Sequence, residues 1–172
     1  MNIKTISVGE LQTNCYVLEK ENECIIIDPG AEPLRIDEQI NKNFIGIIIT
    51  HNHYDHVGAL DYFKEKYKIP VYDYSNLKEG INQIGSFCFD MIKTPGHTSD
   101  SISIYFKDDN TMFVGDFIFY HTIGRTDLPT GDYNEMKKSI EKIKKYDNIK
   151  IYPGHGNVTT LIEEKENNIY FS

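Results

Sequence analysis

The chain contains no tryptophan, and its 172 residues include only three cysteines and two arginines. No apolar run approaches the roughly 20 residues that a membrane-spanning helix needs, so we expect no membrane protein. The N-terminal residues lack the apolar core of a secretory signal peptide. Cys15, Cys24 and Cys88 show neither metal-binding nor redox spacing, and we predict them to be buried, reduced thiols of a cytoplasmic protein.

Positive charge is also scarce, because the formal net charge is −8. Nothing in the sequence resembles a basic stripe, which argues against nucleic acid as a partner. The one lysine cluster, within residues 137–145, is interleaved with Glu135 and Glu141, and we interpret it as a solvated helix face. The length fits one domain that spans residues 1–172.

Three of the six histidines lie within residues 51–56, directly after the apolar run 45–49. That run is typical of a buried strand. Because alternate side chains of an extended chain point the same way, His51 and His53 could bind one metal ion. Asp55 and His56 follow as the chain turns and could bind a second ion beside it. Imidazole and carboxylate ligands suit zinc, iron or manganese.

Three further candidate ligands also follow predicted strands. His97 and His155 each come after a Pro-Gly dipeptide, and Asp116 follows an apolar run and a glycine. Each residue has an ordinary explanation when taken alone: a histidine after a turn is usually exposed, Asp55 could cap a helix, and Asp116 could be a turn residue. Their joint occurrence at four strand ends favours a site for two metal ions.

The remaining pattern predicts two sheets packed together with helices outside them, an α+β fold. Asp132 and Thr160 are expected to cap the last two helices. The predicted strands are 4–8, 15–19, 24–28, 45–49, 69–72, 87–93, 101–107, 111–115 and 149–152. The predicted helices are 33–40, 56–67, 132–146 and a last helix that begins after Thr160.

The histidine-rich segment 51–56, with His97, Asp116 and His155, resembles the ligand set of the metallo-β-lactamase superfamily. Segments 11–16, 28–30, 94–98, 113–116 and 123–129 resemble its glyoxalase II-like branch, that of the hydroxyacylglutathione hydrolases, and especially its small single-domain members. The resemblance covers nearly the whole chain and implies a four-layer αββα sandwich.

The resemblance also implies which residues hold two divalent metal ions, zinc being preferred and iron or manganese being alternatives. The two ions would share a hydroxide that attacks a carbonyl group, with Asp55 and Asp116 as the catalytic carboxylates. Asp28 could accept a hydrogen bond from a ligand histidine, or serve only in a turn. The implied ligands are His51, His53 and His97 for the first ion, Asp55, His56 and His155 for the second, and Asp116 as the bridge.

The substrate implied by this branch is a small acyl thioester such as hydroxyacylglutathione. Full glyoxalase II enzymes carry a helical region after the last ligand that helps to bind glutathione, whereas only 17 residues follow His155 in this chain of 172. The thiol carrier is therefore left open, and the protein could be a monomer or a homodimer.

Three residues near Asp116 are predicted to bind substrate: Tyr120, His121 and Arg125. Arginine suits a bidentate contact with a carboxylate. The alternative for Arg125 is a bond to Asp127 or Asp132 that fixes its own loop. His121 could line the pocket or hydrogen-bond the leaving group, but the alternative, a place on the surface, is favoured for it.

Three other functions are compatible with a metal site of this kind. A persulfide dioxygenase would use one iron held by His51, His97 and Asp116, although Phe-Gln usually follows the Gly-Arg-Thr-Asp segment of such enzymes, where this chain has Leu128-Pro129. A lactam hydrolase would normally carry a signal peptide. A non-catalytic metal-binding module is not favoured, because all seven ligand positions are filled.

Overall fold

The computed structural model describes residues 1–172 and contains two facing β-sheets. The first sheet comes from the N-terminal half, with strands in the order β1-β2-β3-β4-β5. Strands β1 to β3 pair antiparallel, and β4 and β5 continue the sheet in parallel. The bounds are β1 Asn2–Val8, β2 Thr13–Lys20, β3 Glu23–Ile27, β4 Asn43–Ile48 and β5 Val71–Tyr72.

The second sheet comes from the C-terminal half, in the order β13-β12-β9-β8-β7-β6. Only β12 and β9 pair in parallel. A separate hairpin, β10-β11, lies between the two parallel strands in the chain. The bounds are β6 Gly80–Ile84, β7 Phe87–Lys93, β8 Ile102–Phe106, β9 Thr111–Gly115, β10 Ile118–Phe119, β11 Thr122–Ile123, β12 Lys150–Pro153 and β13 Thr159–Thr160.

Helices cover the outer face of each sheet. Ile36 and Phe63 pack on the first sheet, whereas Met136, Ile140 and Leu161 pack on the second. A third apolar cluster fills the space between the sheets. The predicted α+β fold, a four-layer αββα sandwich, is confirmed. The helices are α1 Pro33–Asp37, α2 Tyr54–Val57, α3 Leu60–Tyr67, α4 Tyr133–Ile143 and α5 Leu161–Asn167, with short 3-10 turns at Lys107–Asp109 and Ile169–Phe171.

Strand β2 shows why the strands have continuous apolar sequences. Tyr16 and Leu18 point between the sheets, while Cys15 and Val17 point toward the helices of the first sheet. Because successive side chains alternate between the two faces, a strand with helices on one side and a sheet on the other buries all of them. Burial of each large apolar side chain contributes about 1.5–3 kcal/mol.

Three predicted helices have different bounds in the structure, and the one predicted at 132–146 spans Tyr133–Ile143. The helix predicted at 33–40 ends at Asp37, because the amides of Gln39 and Ile40 bond carbonyls only three residues back. The helix predicted at 56–67 begins at Tyr54 and is interrupted before Leu60. The amide of Ala59 donates to the carbonyl of Pro29 instead of continuing the helix.

The sequence did not predict strands β6, β10, β11 and β13, and β5 is shorter than expected because it starts after Pro70. The prediction that all three cysteines are buried is wrong for Cys88. Cys15 and Cys24 are buried, but Cys88 is exposed on β7, next to the edge strand β6.

Both predicted helix caps are confirmed. The Asp132 side chain accepts hydrogen bonds from the amides of Asn134 and Glu135, and Thr160 accepts one from the amide of Glu163. None of the helices has the length and apolar character needed to cross a lipid bilayer.

Candidate metal centre and its cleft

Four strand ends deliver the predicted ligands to one edge of the sandwich. His51 and His53 follow β4, and His97 follows β7. Asp116 directly follows β9, and His155 follows β12, which lies beside β9. Neighbouring parallel strands end at the same edge of a sheet, so Asp116 and His155 meet there.

The structure brings all seven predicted ligands together as two adjacent triads. The ligand atoms of each triad lie within 4.8 Å of one another. Asp116 lies between the triads, with Oδ1 3.2 Å from Nε2 of His56 and Oδ2 3.4 Å from Nε2 of both His97 and His155. The first triad is His51, His53 and His97, and the second is Asp55, His56 and His155.

Three buried polar atoms in this centre have no hydrogen-bond partner. They are Nε2 of His51, Nε2 of His56 and Oδ1 of Asp116. A buried polar atom without a partner costs about 1–3 kcal/mol. One orphaned atom belongs to each triad and the third to the carboxylate between them, so the residues fit two cations that would coordinate all three.

The other ring nitrogens are fixed by the surrounding protein. Nδ1 of His97 donates to the Arg125 carbonyl at 2.7 Å, and Nδ1 of His155 donates to the Leu11 carbonyl at 2.9 Å. Because a carbonyl only accepts, these bonds leave Nε2 of each ring free to act as a ligand. His53 instead faces the centre with Nδ1, 2.9 Å from Nε2 of His97.

Asp28 supports both triads. Its Oδ2 accepts a hydrogen bond from Nδ1 of His56 at 2.9 Å, which confirms the role expected for it. It also accepts from the amide and hydroxyl of Thr50, and that hydroxyl lies 3.2 Å from Nδ1 of His51. Asp28 also forms a group with His51 and His56 that could hold a metal ion. Since its oxygens are already bonded, we assign it to orienting these histidines.

The alternative reading of Asp55 as a helix cap is wrong. His53 occupies the N-cap position of α2, without a side-chain cap bond, and Asp55 lies in the first turn. The Asp55 Oδ2 atom accepts a hydrogen bond from Thr13 and lies 3.2 Å from Nε2 of His155.

The histidines and carboxylates of this centre change each other's pKa values. Burial opposes ionisation of His56, but the carboxylates of Asp28 and Asp116 outweigh it and raise the pKa of His56 to about 10. Burial likewise opposes ionisation of His155, and contacts with Asp116 and Asp55 raise its pKa to about 10. Burial disfavours both carboxylates too, yet the histidine contacts hold the pKa of Asp55 and Asp116 below the usual range. Divalent ions would replace these protons on binding.

Glycine is required at two close approaches around the centre. A side chain on Gly30 would collide with the carbonyl group of Asp55, and one on Gly154 would collide with the carboxylate of Asp116 and the ring of His56. These residues allow the backbone to pass directly beside the ligands.

A cleft of about 870 Å³ opens above the metal centre. This volume is in the range of small-molecule sites. Tyr54 stands at its mouth with 74% of its surface exposed. Besides five of the predicted ligands, the cleft is lined by Leu11, Asn52, Tyr54, Thr98, Ser99, Asp100, Phe119, Arg125, Leu128, Pro129 and Thr130.

Of the three predicted substrate residues, only Arg125 lines this cleft. The Tyr120 ring stacks on His121, and His121 bonds Glu163 of α5 at 2.7 Å, outside the cleft. Phe119 lines the cleft instead. His121 thus follows its alternative, a half-exposed place on the surface.

Arg125 is paired within its own loop. Its Nε and Nη2 atoms donate to the two oxygens of Asp127 at 2.9 Å, and about two thirds of both side chains is exposed. The pairing predicted as the alternative for Arg125 is confirmed with Asp127. The guanidinium nonetheless keeps Nη1 without a bond to Asp127 and available to a ligand in the cleft.

Sequence reasoning missed the groups that hold the ligands in place. The carbonyls of Leu11 and Arg125 give no sequence signal, because every residue has one. Thr13 lies in a segment that carries the family resemblance, but its contact with Asp55 spans 42 positions of the chain. The cleft residues Phe119 and Tyr54 are immediate neighbours of predicted site residues: Phe119 precedes Tyr120, and Tyr54 lies between His53 and Asp55.

Comparison with known proteins agrees with this geometry. The sequence model of the metallo-β-lactamase superfamily matches residues 8–91 and 76–155. The chain belongs to the metallo-β-lactamase superfamily. Among relatives in this superfamily, the hydroxyacylglutathione hydrolase GloC of Haemophilus influenzae is 30% identical, aligned over 100% of this chain and 99% of its own length.

Solved structures of the superfamily superpose closely. The BLEG-1 B3 metallo-β-lactamase has a TM-score of 0.93 at 31% identity, covering 99% of this chain and 100% of its own. The protein TTHA1623 in a di-iron-bound form has a TM-score of 0.88 at 28% identity, covering 97% of this chain and 99% of its own. The superfamily's fold is therefore present across nearly the whole chain.

Proposed function

We propose that this superfamily member is a hydrolase that uses two divalent metal ions to cleave a small acyl thioester. One observation carries the proposal: six predicted ligands form two triads at the bottom of a cleft with Asp116 between them, and the three orphaned atoms all belong to these seven residues. The cleft is large enough for a small acyl compound.

Two bound ions would supply a water nucleophile that ionises near neutral pH and a Lewis acid for the substrate carbonyl. The residues of the chain set the geometry of this chemistry. Asp116 reaches both triads, and Asp55 belongs to the second, with its Oδ2 3.2 Å from Nε2 of His155. Mixed nitrogen and oxygen ligands suit zinc, and the di-iron form of TTHA1623 supports iron as the alternative.

The leaving group favours a thioester over an amide. A thiol with a pKa of about 8.5 leaves readily as the thiolate, without a proton donor. The histidines that line the cleft belong to the triads and are not free to protonate a leaving group, and Asp100 accepts a hydrogen bond from Asn52. The name of the Haemophilus relative, hydroxyacylglutathione hydrolase, supports the same reaction class.

The cleft walls indicate how such a substrate would bind. Leu11, Phe119 and Leu128 provide apolar surface close to the ligands. Arg125 is the only lysine or arginine that lines the cleft, and we assign Nη1 of its guanidinium to a carboxylate of the substrate. Glutathione carries such carboxylates, but a smaller acidic thiol would meet the same requirement.

A lactam is the second candidate substrate, because BLEG-1 has the B3 metallo-β-lactamase name and superposes over its whole length. Cleavage of a lactam releases a nitrogen that needs a proton. The phenol of Tyr54, at the mouth of the cleft, is one side chain outside the triads that could donate it, and the hydroxyls of Ser99 and Thr130 line the same cleft.

The proposal is tested by assaying the metal-free protein, and the same protein reconstituted with zinc, iron or manganese, on a matched panel. The panel contains S-lactoylglutathione, a neutral S-lactoyl thioester and a chromogenic cephalosporin. We expect metal-dependent hydrolysis of the thioesters. If only the cephalosporin is hydrolysed, the substrate class is a lactam and not a thioester. If no compound is hydrolysed, the proposal is contradicted.

A further inference from the structure

The segment 9–13, which comprises the turn between β1 and β2 and the first residue of β2, makes hydrogen bonds to the second triad and none to the first. The carbonyl of Leu11 accepts the hydrogen bond from Nδ1 of His155, and Oγ1 of Thr13 donates to Oδ2 of Asp55 at 2.8 Å. One short turn of the N-terminal half therefore holds two of the three ligands of the second site.

The Thr13 bond reaches the oxygen of Asp55 that faces the centre. Oδ2 of Asp55 lies 3.2 Å from Nε2 of His155 and 3.4 Å from Nε2 of His56. Thr13 is buried, with only 1% of its surface exposed, so water does not compete strongly for its hydroxyl. The bond restricts the rotation of the carboxylate and stabilises its ionised form.

The turn and the His155 loop are also joined through their backbones. The amide of Asn14 donates to the carbonyl of Gly154 at 2.7 Å, and its side chain donates to Pro153 and Gly156. Thr13 forms an isolated β-bridge with His155. These bonds remain when the Thr13 side chain changes, so its hydroxyl can be tested apart from the rest of the turn.

We propose that Thr13 is a positioning residue that sets the affinity of the second metal site independently of the first. The proposal rests on the two-metal function proposed above. Thr13 acts through Asp55, and its side chain makes no hydrogen bond to His51, His53 or His97 of the first triad. Loss of a group that orients a metal ligand typically weakens metal binding about 10- to 100-fold.

The deciding variant is Thr13→Val, which keeps the shape of the side chain but removes the donor. Thr13→Ser restores the hydroxyl, and Thr13→Ala provides a second loss of the donor with less bulk if the valine variant does not fold. Thr111→Val is the matched control, because Thr111 is also buried and bonds the Asp109 carbonyl. Thr111 begins β9, at the opposite end from Asp116.

The experiment titrates the full-length, metal-free proteins with zinc against a chromophoric chelator, which resolves two binding constants. Circular dichroism checks the fold of each variant. For Thr13→Val we expect the affinity of the second site to fall about 10- to 100-fold and that of the first site to stay unchanged. Thr13→Ser and Thr111→Val should match the wild type.

Two outcomes would overturn the role of Thr13: an unchanged second constant, or an equal loss at both sites. In either case a wild type that binds two ions and hydrolyses thioesters would leave the proposed function intact. A wild type that binds only one ion would instead contradict the two-metal function itself.

Discussion

The bottom of the cleft and its rim differ in how firmly the protein holds them. The bottom consists of the seven ligands, whose histidines bond the interior or each other through a ring nitrogen. The rim consists of Leu11, Tyr54, Arg125 and Leu128, and the first three are half-exposed or more. Packed strand ends thus determine the chemistry, while exposed loops are left to determine which substrate enters.

The largest expected effect of this difference is at His155. His155→Ala should remove one ligand of the second site, so that kcat for thioester hydrolysis falls by about two orders of magnitude or more. Metal content and kcat measured on the same sample check this. His121→Ala is the matched control, because His121 is the one histidine outside the centre; full activity of His155→Ala would exclude a two-metal mechanism.

A smaller but still large effect is expected at Asp28. Asp28→Asn removes the charge that faces His56 and weakens the bonds to Thr50. We expect metal affinity to fall about 10- to 100-fold and the metal-free protein to lose about 1–3 kcal/mol of unfolding free energy. Chelator competition and urea unfolding measure the two quantities. If neither quantity changes, the Asp28 carboxylate is not needed to hold the histidines of the centre in place.

At the rim, Arg125→Ala should raise KM for an anionic thioester about fivefold, since an exposed charged contact contributes up to about 1 kcal/mol. The value of kcat should hold, because the backbone carbonyl that bonds His97 is retained. The control is Arg35→Ala, which removes the other arginine, one that is also exposed and paired with an acidic neighbour. Equal KM values for wild type and Arg125→Ala would mean that Arg125 does not bind substrate and serves only to fix its loop through Asp127.

The smallest effect is expected just outside the rim. Tyr120→Ala should change KM and kcat by less than about twofold, as is usual for surface substitutions. Phe119→Ala, at the neighbouring position, should raise KM because its ring lines the cleft and packs edge-on against His155. Steady-state kinetics of the two variants check this. A larger change for Tyr120→Ala than for Phe119→Ala would place Tyr120, and not Phe119, beside the bound substrate.

The sequence predicted which residues come together at the bottom of the cleft, because each candidate ligand is a single residue at or near the end of a strand. His97, Asp116 and His155 each follow a recognisable apolar strand. The helix break at Ala59 was not predictable in this way, since it depends on a bond to Pro29, far away in the chain. The same is true of Thr13, whose partner is Asp55.

The rim was predicted less well for a physical reason. The two-residue strands β10 and β11 form a tight hairpin around Tyr120 and His121, and adjacent residues there face different sides. The sequence therefore predicted Tyr120 as a substrate residue, whereas the adjacent Phe119 is the one that lines the cleft. The backbone of His121 has a positive φ of 61°, which turns its side chain toward Glu163, and nothing in the local sequence indicated this.

The most direct test of the two-metal account is to follow thioester hydrolysis while metal-free protein is loaded with zinc in known molar steps. The account predicts little activity up to the first equivalent and a rise that follows the second, because both triads and Asp116 are needed together. Full activity at one equivalent would contradict it, as would a protein that purifies with a single iron and consumes oxygen with a persulfide.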